Sequence, residues 1–91
     1  MPVARPRVFC DFNKRFGATT YGLNTVGTRA DLDRLQLELR PGLRLVLYDA
    51  DAFENGDPAW LLADAVVVDD PERGLVADAD PDSFRWERRE V

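Results

Sequence analysis

Apolar and polar positions change period several times along this chain, and the changes predict its elements. From Arg7 to Asn13 (RVFCDFN), Val8, Cys10 and Phe12 share one parity and Phe9 and Asp11 the other, as in a strand with two partly buried faces. Asn13–Gly17 (NKRFG) reads as a turn. Thr19 to Val26 (TTYGLNTV) reads as a second strand of β-branched and aromatic residues, with Gly22 marking a bulge or a close backbone approach. The two strands are expected to form a hairpin.

Gly27 to Asp51 is the best-specified stretch. Thr28 and Asp31 have the Thr-x-x-acid spacing of a capping box, and Asp31 and Asp33 place negative charge at the positive end of a helix. Leu32 and Leu35 recur at helical spacing, but Leu35, Leu37 and Leu39 recur at two, so the helix is predicted to be short. Pro41-Gly42 predicts a turn, because proline pre-sets the first central position and glycine accepts positive φ at the second. Beyond it Leu43, Leu45 and Leu47 alternate with Arg44, Val46 and Tyr48, a strand with one buried face. The helix is read as a lid or plug on the sheet that follows.

Glu54 to Pro58 (ENGDP) carries Asn-Gly between two apolar runs and predicts a hairpin through a type I′ turn. Its second arm, Ala59–Asp69 (AWLLADAVVVD), is apolar on both parities and is expected to be the central strand, with Asp64 marking a bulge or an edge where the side chain escapes. Asp70–Gly74 predicts another turn and Leu75–Asp80 a fifth strand. After Pro81 and Asp82, Ser83–Arg88 is expected to form a sixth, edge strand carrying Phe84 and Trp86 toward the core. The fold expected is mainly β, a single small β domain spanning residues 1–91. It would be a small partly open antiparallel β-barrel or twisted sheet of five or six strands with one short helix.

Composition narrows the functional classes. Hydrophobic residues at 45% and charged residues at 32% fit a globular domain rather than a disordered chain. No apolar run approaches the roughly 18 residues that cross a bilayer, and MPVARPRVFC lacks the apolar core of a secretory signal, so a cytoplasmic protein without a membrane partner is expected. Cys10, the one cysteine, excludes an internal disulfide framework and a cysteine-based zinc site and is read as a small buried hydrophobe. The formal charge of −5 is unevenly spread: residues 1–45 carry eight basic and four acidic side chains, residues 46–91 four and thirteen. The acidic half should repel a phosphate backbone, so nucleic acid is not the expected partner.

Asp11–Asn13 (DFN), Gly27–Leu35 (GT-x2-DL-x-RL) and Leu39–Asp49 (L-x-PG-x-RL-x-LYD) together resemble a family of short bacterial proteins of unassigned function. The resemblance implies a stand-alone domain and transfers no active site. Within it, L-x-PG-x-RL-x-L is similar to the turn that leads into a strand of SH3-like barrels.

Three constellations could carry function. Asp49, Asp51, Glu54 and Asp57 cluster in one hairpin and offer oxygens to a hard cation, but Phe53, Glu54 and Trp60 occupy positions where a calcium loop needs a ligand, a glycine and a bidentate acid. Asp78, Asp80 and Asp82 fail in the same way, with Ser83 and Arg89 at the last two of those positions. Arg7, Phe9, Lys14, Arg15 and Phe16, within a basic aromatic stretch beginning at Arg5, offer stacking rings and cations to single-stranded nucleic acid. Lys14-Arg15-Phe16-Gly17 followed by Tyr21 resembles the stacking motif of cold-shock barrels, with Ala18 where a second aromatic would stand. Catalysis has little to work with: there is no histidine, Ser83 and Lys14 are the only serine and lysine, and an Asp49–Asp51 pair, about 6.5–7 Å apart on one strand face, is the sole acid–base arrangement. A non-enzymatic interaction module without cofactor is therefore expected, binding another protein or itself through the acidic tip (Asp49, Asp51, Glu54, Asp57) and the aromatic edge (Phe84, Trp86).

Overall fold

In the computed structural model, which describes residues 5–90, the period-two pattern becomes a sheet built on one long hairpin. Strands β3 (Arg44–Ala52) and β4 (Pro58–Asp70) pair antiparallel in unbroken register from Arg44 opposite Val66 to Ala52 opposite Pro58. Their connection is longer than a type I′ turn. Phe53 N–H donates to the Asp57 carbonyl (2.9 Å) and Gly56 N–H to the Phe53 carbonyl (2.8 Å). Gly56 (φ +92°) is the only left-handed residue of the loop, whereas type I′ needs two.

At the start of β3, Leu43 N–H donates to the Arg40 carbonyl (3.2 Å) and Gly42 has φ +89°, a type II turn with Pro41 at its first central position. The same glycine opens a bulge. Gly42 N–H donates to the Val67 carbonyl and Val67 N–H to that of Leu43, both at 2.8 Å, so two residues face one.

The free side of β4 is shared by two strands. β6 (Arg85–Arg88) pairs with Ala59–Leu62, and β5 (Gly74–Ala79) with Ala65–Asp70. Between them the 3-10 turn Pro81–Ser83 fills the gap, with Asp64 N–H donating to Ser83 Oγ (2.8 Å) and Asp80 N–H to the Asp64 carbonyl (2.9 Å). Asp64 is thus no bulge, since its register with β3 is continuous. It marks the change of neighbour, and its carboxylate turns outward to Arg85 (3.3 Å) and Arg5 (4.0 Å).

β1 (Arg7–Phe9) joins β3 in parallel, and β2 (Thr20–Tyr21) joins β5 antiparallel. The six-stranded sheet is therefore mixed, in the order β1-β3-β4-β5-β2 with β6 beside β4, and does not close into a barrel. The hairpin expected between the first two strands does not form, because they lie at opposite ends of the sheet. The chain leaves β1 after Phe9, turns at Asp11–Lys14 (2.9 Å), and residues 14–16 fold back on 20–22 instead.

Helix α1 (Val26–Leu35) begins one turn earlier than the capping-box spacing implied. Thr25 is its N-cap, accepting from Thr28 N–H (3.2 Å), and Gln36 in the left-handed region (φ 50°) ends it. Thr28 and Asp31 do other work. The Thr28 hydroxyl donates to the Phe9 carbonyl (2.6 Å), and Asp31 accepts from Phe9 N–H (2.8 Å) and from the Tyr48 hydroxyl. In a parallel pair alternate residues face the partner; Pro6 and Cys10 bond to β3, so the Phe9 peptide groups point away from it. Two side chains of α1 therefore replace a neighbouring strand, and the helix plugs an edge. Gly27 permits the approach, since a Cβ there would lie 2.7 Å from Phe9 Cδ1.

The core lies on the sheet face bearing Val8, Leu45, Leu47, Ala63, Ala65, Val67, Ala77 and Ala79, against which Phe12, Leu32, Leu37, Leu39 and Phe84 pack. On the opposite parity Val46, Leu62 and Val76 are also buried. Tyr48 and Trp60 meet edge to face there (5.3 Å), and Arg7 grips Glu87 through two hydrogen bonds (3.2 and 3.0 Å), joining the first strand to the last. Among the described residues, no helix is long and apolar enough to cross a membrane.

Candidate functional site

Because β4 lends its first half to β6, the C-terminal strand lies beside the β3–β4 hairpin. Register places Asp51 opposite Ala59 and Ala59 opposite Arg88, and Asp49 opposite Leu61 and Leu61 opposite Trp86. Asp49, Asp51, Trp86 and Arg88 thus share a face. An open cleft of about 810 Å³ results, with Phe53 and Trp86 as its aromatic surfaces and Asp51, Glu54, Asp57 and Arg88 around them.

Trp86 does not face the core, contrary to the expectation for the edge strand. Although its parity is the core parity, it stands beyond the last core layer, Leu47 and Ala63, and is 54% exposed. Its indole N–H donates to Asp51 Oδ2 (2.8 Å). Phe84, just after the 3-10 turn, packs against Phe12 (5.4 Å) and Tyr21 (6.5 Å). The expected aromatic edge is thereby divided between inside and outside.

The rim is unequally compensated. Arg88 Nη2 donates to Asp57 Oδ2 at 3.2 Å. The Trp86 indole and the Ala52 backbone N–H hold the Asp51 carboxyl below its ordinary range, so it stays ionised, but its partners are neutral. Glu54 is exposed at the tip, and among the described residues no ion pair involves Asp51 or Glu54. Asp49 stands apart, accepting from Ala50 N–H (2.8 Å) and Phe12 N–H (3.3 Å) and so tying the exit of β1 to β3. Arg88 was not among the residues singled out from sequence; its spacing of two from Trp86 on one strand is the signal that places them together.

The other constellations do not assemble. Among the described residues no three acidic or thiol side chains converge as a metal ion would require. Asp78 accepts from the Thr19 hydroxyl (2.7 Å) and Asp80 from Asp82 N–H (2.9 Å). The basic aromatic stretch is split: Arg7 is engaged by Glu87, Phe9 is half-buried against Tyr48 (5.9 Å), and Lys14, Arg15 and Phe16 lie in the hairpin beside β2. There the Arg73 guanidinium covers the Phe16 ring at 4.3 Å. Cys10 is fully buried, and burial, with Asp49 and Asp11 adding to it, pushes its thiol up to about 12, so the thiolate is disfavoured. A further cleft of about 540 Å³, between Arg5, Arg44, Asp64 and Asp78, mixes both charges and selects neither.

Comparison with family models, with curated proteins and with solved structures gives no match, so the reading of the cleft rests on its own geometry.

Proposed function

We propose that this protein is a non-enzymatic interaction module whose hairpin-tip cleft receives a cationic side chain from a segment of a partner protein. The observation that carries the reading is the meeting of two carboxylates without a cation, Asp51 and Glu54, with the exposed ring of Trp86. A lysine or arginine side chain lying on that ring would gain about 0.5–2 kcal/mol from the cation–π contact, and the acidic rim would speed its approach. The acidic second half of the chain favours a basic partner over a phosphate backbone.

Titration of ¹⁵N-labelled protein with a lysine-rich and a glutamate-rich peptide tests this. The Trp86 indole N–H resonance is expected to shift with the lysine-rich peptide alone, less at high salt, and less again in Asp51→Asn/Glu54→Gln. An indole resonance indifferent to the lysine-rich peptide at low salt overturns the reading.

A further inference from the structure

Exposed strand edges are templates for another strand unless something blocks them. Along this sheet most are blocked. Thr28 and Asp31 occupy the outward peptide groups of Phe9, leaving only those of Arg7 on β1, and residues 14–16 pair with the outer side of β2. Where β3 extends beyond β1, Asp49 accepts from Ala50 N–H, and Asp51 is bonded by Ala52 N–H, so each aspartate covers the donor that follows it.

β6 differs. Arg89 N–H donates to the Pro58 carbonyl (3.1 Å), which sets the phase of its ladder with β4: Arg85 and Glu87 bond inward, and Trp86 and Arg88 turn their N–H and C=O groups outward. Among the described residues no hydrogen bond outside the ladder engages those groups. All four residues of β6 are exposed.

We propose that a second copy of this chain pairs antiparallel with β6 across a two-fold axis, with Trp86 opposite the partner's Trp86. Outward-facing residues must oppose each other in the hydrogen-bonded positions, which leaves two central registers. Pairing Trp86 with the partner's Arg88 would set Glu87 against the partner's Glu87, a like-charge pair. Pairing Trp86 with the partner's Trp86 sets Arg85 against the partner's Glu87 and Glu87 against the partner's Arg85. The Arg-Trp-Glu order of residues 85–87 is thus complementary to itself when reversed, the property an isologous interface requires. The contact uses the edge of β6, whereas the cleft opens on its face, so this inference does not rest on the binding reading above. A four-residue edge makes a small interface, and the dimer is accordingly weak.

Sedimentation velocity of the full chain from about 10 μM to 1 mM tests it, since weak interfaces populate over that range. The dimer fraction should rise with concentration. Arg88→Pro removes one outward donor and spares the bonds to β4; Glu87→Arg sets like charges across the axis. Each should weaken association by roughly tenfold or more, with far-UV circular dichroism confirming that the variants fold. A wild-type chain that stays monomeric throughout, or a dimer indifferent to Arg88→Pro, overturns the proposal.

Discussion

The carboxylate of Asp31 stands where a neighbouring strand's carbonyl would, accepting the Phe9 backbone N–H at 2.8 Å from a position 22 residues along the chain. Thr28, on the same helix face, answers the Phe9 carbonyl. Asp31 also takes the Tyr48 hydroxyl and Arg34 (3.3 Å), so helix, first strand and third strand meet on one side chain.

Removing that side chain should therefore cost more than an ordinary surface change. Asp31→Ala leaves the half-buried Phe9 N–H and Tyr48 hydroxyl without their acceptor and is expected to lower the unfolding free energy by about 1–3 kcal/mol. Thr28→Val keeps shape but orphans the Phe9 carbonyl, for about 1–3 kcal/mol. Urea denaturation measures both; a loss within error of wild type would mean that the helix is not held by these bonds.

The same carboxylate sets the acid limit. Burial pushes Asp31 up, but the Tyr48 hydroxyl, the Phe9 N–H and Arg34 outweigh it and leave the group below its ordinary range. Its contribution is fully present above the unfolded-state range near pH 4 and is lost as pH falls through the lower folded value. Asp31→Asn should flatten the acid limb of a stability–pH profile. At the other end Tyr48, pushed up to about 12 by burial and then by Asp31, favours its neutral form in the fold. That contribution is present below about pH 10 and is lost as pH rises toward 12, and tyrosinate absorbance in a pH jump should show it ionising late.

Cys10 should report global opening. Its thiol is enclosed and its thiolate disfavoured, so alkylation in the native state is expected to be more than about a hundredfold slower than in urea. Native labelling at the unfolded rate would place Cys10 at the surface.

Gly27 and Gly17 form a matched pair of controls. A methyl group at Gly27 meets the Phe9 ring at 2.7 Å, whereas Gly17 has open space around it. Gly27→Ala is expected to cost about 1–3 kcal/mol through displacement of α1 from β1, with Gly17→Ala near neutral, as thermal melts will show.

Where sequence signals were local, they located the elements; where pairing was distant, they did not. The Pro41-Gly42 turn, the β3–β4 hairpin and the central place of β4 follow from turn chemistry and from apolar residues on both parities. Alternation in Val8, Cys10 and Phe12 says that a strand exists but names no partner, so its parallel pairing with β3 was not legible. Thr28 and Asp31 satisfy a capping box and a tertiary bridge equally well on spacing alone, and only Phe9 decides between them. At the cleft, Asp51, Glu54, Asp57 and Trp86 were all named from sequence, but their convergence depends on β6 joining β4. Trp86 departs from the environment its parity implies, because parity reveals which residues share a face, not how far the core extends along it.

The position of β4 also imposes an order of assembly. β3, β5 and β6 all bond to it, while β1 and β2 reach the sheet only through β3 and β5. On an emerging chain Arg7–Phe9 and Thr20–Tyr21 must wait for strands made later, so β3 and β4, within Arg44–Asp70, are the first two strands able to bond to each other. Until Arg85–Arg88 have emerged, Ala59–Leu62 stay unbonded on one side, so a strand made after the hairpin is the one that seals it.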